Sequence, residues 1–240
     1  MAFEDERALL RPRARLMSML GEELISNERV ALIELVKNAY DADAELVVIR
    51  FIAPLEEGRG AVEVWDDGHG MNDATVRGAW MKIATPYRQR SPQSETKGRR
   101  VLGAKGIGRF AAARLASRTT LVTRREGAEE ITLRINWGDF SQGDAYLDQV
   151  PITWSAGEPR LFSPGGDADR LFNRILHDYR ESSDQAARNG GSSIPGEMRA
   201  EPRVRLFTRL RMGPSYAWRN SDRPGTTRPS CAARKMGFPL

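Results

Sequence analysis

Between Ala31 and Asp43 the chain reads A-L-I-E-L-V-K-N-A-Y-D-A-D, and its polar side chains are not scattered. At about 3.6 residues per turn, Glu34, Asn38 and Asp41 share one face, while Leu32, Ile33, Leu35, Val36 and Tyr40 cover much of the remainder. The pattern predicts a helix from Glu28 through Tyr40, capped by Asn27 and packed inside the protein. Burying its polar side chains would cost several kcal/mol without partners. An acid and an amide one turn apart suit a metal-bound, water-holding pocket, but a helix with one wetted edge reads the same way.

Around this stretch the pattern alternates between helical and extended. Glu6–Leu20 is rich in Arg, Leu and Met and reads as a helix, with Pro12 near its start or kinking it. Glu45–Ile52 is dense in β-branched residues, Pro54–Gly60 is a turn, and Ala61–Trp65 alternates, so a hairpin is expected. Asn72 or Asp73 caps a helix through Ile83, and Arg109–Ala116 has a helical pattern. Thr119–Thr123, Ile131–Trp137 and Tyr146–Trp154 read as strands, and Asp167–Leu176 as a short helix. Thr85–Arg100 is polar and basic without apolar periodicity, so a mobile loop is expected. From Tyr179 to Leu240 no period is sustained and only Val204–Met212 suggests a strand; disorder is the plain reading. The abrupt gain in Arg and Pro also fits a shifted reading frame. The expected division is therefore a domain over residues 1–178 and a tail over 179–240.

Composition narrows the class. With 240 residues and 40% hydrophobic content, the chain suffices for one ordinary soluble core. No apolar run reaches about 18 residues and Met1–Arg15 is charged, so neither a membrane span nor a secretory signal is expected, and the cytoplasm is the expected location. Cys231 is the only cysteine, which excludes an intrachain disulfide, and His69 and His177 are too few for zinc. Net charge is +5, yet residues 181–240 hold 11 Lys+Arg against 5 Asp+Glu, so the basic character belongs to the tail. Nucleic acid is a candidate partner on that ground alone.

Two glycine motifs follow the first helix. Asp66-Asp67-Gly68-His69-Gly70-Met71 ends the second predicted strand; its glycines let the backbone turn tightly beside a flat ligand, and Asp66 can accept a hydrogen bond from an exocyclic amine. A plain Asp-Gly turn has the same letters. Gly103-Ala104-Lys105-Gly106-Ile107-Gly108 opens a helix, where free backbone N–H groups and the positive helix end favour phosphate, and Lys105 adds a cation. It has neither the Walker spacing nor a Rossmann context.

In this order, E-L-V-K-N-A-Y-D-A, D-D-G-H-G-M and G-A-K-G-I-G-R-F resemble the three ATP-binding boxes of the GHKL superfamily, which includes gyrase B subunits, the ninety-kilodalton heat-shock chaperones, sensor histidine kinases and MutL-type mismatch-repair proteins. The resemblance covers residues 16–125. It implies the Bergerat fold, an α/β two-layer sandwich with a mixed, mostly antiparallel sheet and helices on one face, holding ATP and Mg²⁺ beneath a lid. Trp80–Pro86 followed by a polar loop is similar to the chaperone and mismatch-repair members.

Residue by residue, the resemblance makes Asn38 the magnesium ligand and Asp66 the adenine-binding carboxylate, with Gly68, Gly70 and Met71 beside the purine. Gly103, Gly106, Ile107 and Gly108 match the phosphate lid, with Lys105 added on charge alone. Thr123 matches a threonine that reaches adenine through water, and Asp41 and Asp43 are candidates near the ribose or the metal. Glu34 stands where hydrolytic members carry the base for the attacking water and kinases usually carry asparagine, so hydrolysis is expected. The implied activity is Mg²⁺-dependent ATP hydrolysis that closes a lid and controls a homodimer or a protein partner. A non-hydrolytic ATP switch and a histidine kinase module are the alternatives.

Overall fold

The computed structural model describes residues 10–56, 58–83, 92–103, 108, 110–188 and 206–211. The first helix, α1 (Leu16–Leu24), starts later than expected: Pro12–Ala14 is extended against the turn at 145–147, with Ala14 N–H donating to Ala145 O at 2.9 Å. α2 (Glu28–Asp41) agrees with its pattern, and Asn27 Oδ1 accepts from Val30 N–H at 3.0 Å as the expected cap. It is not enclosed all round, since Ile33 is 54% and Tyr40 38% exposed. α2 is a surface helix laid on a sheet, and its outer edge stays in water.

β1 (Val47–Glu56) and β2 (Arg59–Asp66) form the expected antiparallel hairpin. The helix expected next is a single turn, α3 (Asp73–Thr75), capped by Asn72, running into a π-helical turn over Val76–Trp80. α4 (Phe110–Leu115), β3 (Arg118–Thr123) and β4 (Glu130–Asn136) lie where the pattern puts them. Only the end of the Tyr146–Trp154 stretch is a strand, as β5 (Thr153–Gly157); its start is a 3-10 turn at Leu147–Gln149. α5 (Asp167–Arg188) runs past residue 178, twelve residues longer than its apolar pattern suggested. β6 (Leu206–Arg211) falls within the one strand-like stretch of the tail.

The sheet has the order β1-β2-β6-β3-β4-β5, and every pairing is antiparallel. β6 is a central strand, hydrogen-bonded to β2 on one side and β3 on the other. Alternation along the strands then sorts side chains to two faces. Val62, Leu210 and Ile135 meet Met17, Ile25, Ala31, Phe110 and Leu115 of the α1–α2–α4 layer, which makes the expected α/β sandwich. On the opposite face Trp65, Phe207 and Val122 pack against Ala168 and Phe172 of α5, so one end of that face is also covered by a helix. Among the described residues no helix is long and apolar enough to cross a membrane.

Candidate functional site

Asp66 is the last residue of β2 and is 3% exposed, facing the α1–α2–α4 layer. Its Oδ1 accepts from Gly68 N–H at 3.0 Å. Burial pushes the carboxyl up to about 7, the neighbouring Asp67 charge adds to the rise, and the Gly68 N–H opposes it. The glycines here are required by space and by dihedral. A Cβ on Gly68 would stand 2.8 Å from Ala42 O and 2.9 Å from Ala42 Cβ, and Gly70 has φ +65°. His69 N–H also donates to Ala42 O at 2.8 Å, which seats the D-D-G-H-G turn on the C-terminal end of α2.

Two further residues close this end. Thr123, fully buried at the end of β3, accepts from Met71 N–H through Oγ1 at 2.9 Å. Leu206 of β6 pairs with both Asp66 and Thr123, so these two share a face two strands apart, about 9–10 Å by strand spacing. Asp67 accepts from the Glu45 and Leu46 N–H groups at 2.8 and 2.9 Å and pins the start of β1 to the turn. Sequence reasoning assigned Asp67 no role, because its partners are backbone donors that carry no residue signature.

Midway along α2 and one turn further on, Glu34 and Asn38 meet Gly108. A Cβ on Gly108 would lie 3.1 and 3.2 Å from the Asn38 amide nitrogen and oxygen and 3.4 Å from Glu34 Oε2. The first and third sequence boxes are thus in contact through side chains on one side and bare backbone on the other. Lys37, passed over in the sequence, donates to Glu34 Oε1 at 2.7 Å. From Glu34 to Ala42 is eight residues, about 12 Å of helix, so α2 alone spans both ends of the site.

The two oxygens of Asp41 accept from Leu102 N–H at 2.8 Å and Gly103 N–H at 3.0 Å. It holds the approach to the glycine loop. Asp43, with φ +64°, accepts from Thr96 N–H at 2.7 Å. Burial works against its ionisation, but donors from Ser94, Thr96 and Lys97 hold its carboxyl below the ordinary value. Arg99 donates to Ala44 O at 2.7 Å and lies over the Tyr40 ring, Lys97 pairs with Glu45, and Arg125 pairs with Glu95. Over residues 92–103 the expected mobile loop is a strap tied to the end of α2. Lys105, Gly106 and Ile107 lie outside the described residues.

The donor set fits Mg²⁺. No group of three His, Cys, Asp or Glu side chains that could hold a metal occurs among the described residues. An amide oxygen beside Gly108 suits a small hard cation that keeps most of its waters and takes its other ligands from a bound anion.

A sequence model of the family described as "Histidine kinase-, DNA gyrase B-, and HSP90-like ATPase" matches residues 25–161, more than half of the chain. The chain belongs to this ATPase family. The match spans the three boxes and the sheet from β1 to β5, and gives the protein an ATP-binding domain of the GHKL type. No individual curated protein sequence matches it.

Proposed function

We propose that this GHKL domain hydrolyses ATP with Mg²⁺, and that nucleotide held beneath the strap and glycine loop controls association with a second copy or another protein. The contact among Glu34, Asn38 and Gly108 supports the reading, because it brings a carboxylate oxygen and an amide oxygen to the last glycine of the Gly103–Gly108 box. Asp66 would accept the adenine amino group, Thr123 would reach the ring through water, and Asn38 Oδ1 would take one position on the metal. When bound, Mg²⁺ neutralises charge on the β- and γ-phosphates. Glu34 Oε2 orients a water and takes its proton as the water oxygen bonds to the γ-phosphorus and the bridging oxygen leaves with ADP.

A glutamate at position 34 favours this over phosphoryl transfer to a protein histidine. The test is phosphate release from ATP and Mg²⁺ by the purified chain, with ATP affinity measured in parallel. Tight binding with no release would reduce the protein to a nucleotide-responsive binding module.

A further inference from the structure

We infer that Lys37 is a positioning residue for Glu34, an inference that rests on reading Glu34 as the base. The Lys37 ammonium donates to Oε1 at 2.7 Å, and the two side chains are only 27% and 18% exposed. The other oxygen, Oε2, faces Gly108, where an added Cβ would lie 3.4 Å from it and 3.1 Å from the Asn38 amide nitrogen. The carboxylate is thereby divided between an anchored oxygen and a working one.

A glutamate has three side-chain torsions, and without a contact its carboxylate spreads over several rotamers. Fixing Oε1 from one turn along the same helix restricts those torsions and leaves the lone pairs of Oε2 for water. A single i, i+3 pair on one helix contributes little to stability. The consequence here is geometric, and a base displaced by an ångström can lose two orders of magnitude in rate.

The experiment measures kcat, KM and direct ATP affinity for the full chain and for Glu34→Gln, Lys37→Met, Lys37→Arg and the Glu34→Gln/Lys37→Met double variant, with thermal denaturation of each. Lys37→Met should lower kcat roughly tenfold with KM and affinity within about threefold, and Lys37→Arg, which keeps a charged donor, should recover most of the rate. In the Glu34→Gln background the Met substitution should cost nothing further, because the group it positions has gone. If Lys37→Met does not fold, Lys37→Gln carries the same comparison. A Met variant at full rate beside an inactive Glu34→Gln would overturn the positioning role and leave the base intact. An equal loss in both backgrounds would show that Lys37 acts independently of Glu34. A wild-type chain without turnover, or one unaffected by Glu34→Gln, would remove the base reading itself and the positioning role with it.

Discussion

At the Asp66 end of α2 the site is built largely from backbone: Gly68, His69 and Met71 donate N–H groups to Asp66, Ala42 and Thr123, and the acid is sealed at 3% exposure. At the Glu34 end it is built from side chains, a carboxylate with one oxygen on Lys37 and the other facing Gly108, and an amide beside it. The first end has a fixed shape and a costly buried acid. The second has polar atoms available to groups that arrive with the ligand. This is the division expected where recognition must be preorganised and chemistry must accept water, metal and phosphate in turn.

Four measurements can break or sharpen that contrast. The largest effect should come from Glu34→Gln, which we expect to slow hydrolysis by roughly 100- to 10,000-fold while ATP affinity stays within a few-fold. A comparable loss of affinity would make Glu34 part of the recognition end instead.

Asp66→Asn should cost roughly 2–4 kcal/mol of ATP affinity by calorimetry, since an amide can present a donor to the adenine amine. The same substitution should stabilise the protein without ligand, in a pH-dependent way. The folded value of about 7 lies above the ordinary 3.8, so below about pH 4 both states hold the proton and burial of the acid carries no ionisation cost. From pH 4 to 7 the unfolded chain ionises first, stability falls, and above pH 7 the full loss persists. Thermal denaturation should therefore show Asp66→Asn stabilised at pH 8 by up to about 4 kcal/mol and scarcely altered at pH 4. If the ionised Asp66 accepts from the adenine amine, wild-type ATP affinity should rise with pH through about 7; a flat profile would separate Asp66 from the purine.

Asn38→Ala comes third. We expect the enhancement of ATP affinity by Mg²⁺ to drop by roughly tenfold or more, with affinity in chelator unchanged, because one hard oxygen ligand is removed and the purine end is untouched. Equal losses with and without Mg²⁺ would make Asn38 a phosphate-loop contact only.

The smallest effect tests the strap tied to the C-terminal end of α2. Asp41→Ala leaves the Leu102 and Gly103 N–H groups without their acceptor, and hydrogen exchange at those two amides should quicken by about tenfold, with a global stability loss of about 1–2 kcal/mol. Unchanged exchange would mean that the strap is held by its ties to Asp43, Ala44, Glu45 and Arg125 without help from Asp41.

The features legible in the sequence were local. α2 was readable because its polar face repeats at helical spacing, and the hairpin because Ala61–Trp65 alternates. Glu34, Asn38 and Gly108 come together in space, although the first and third boxes lie about seventy residues apart. The strap was missed because its ties join residues about fifty positions apart, Thr96 to Asp43 and Arg99 to Ala44, through backbone groups that any residue carries. α5 was cut short because its second half is polar, so the apolar stripe fades while the helix continues. β6 was the hardest to read. Leu206–Arg211 is six residues with two arginines, and its central place depends on partners far away in the chain.

That place has a consequence for the order of assembly. As the chain leaves the ribosome, the β1–β2 hairpin and the β3–β4–β5 meander can each form from their own neighbours, but the seam between them waits until residue 211 has emerged. Until then β2 and β3 each present an unpaired edge, the kind of surface that recruits other chains. Asp66 and Thr123 lie on those two edges, and Leu206 pairs with both. The Asp66–Thr123 end of the sheet is therefore among the last parts of the molecule to be completed.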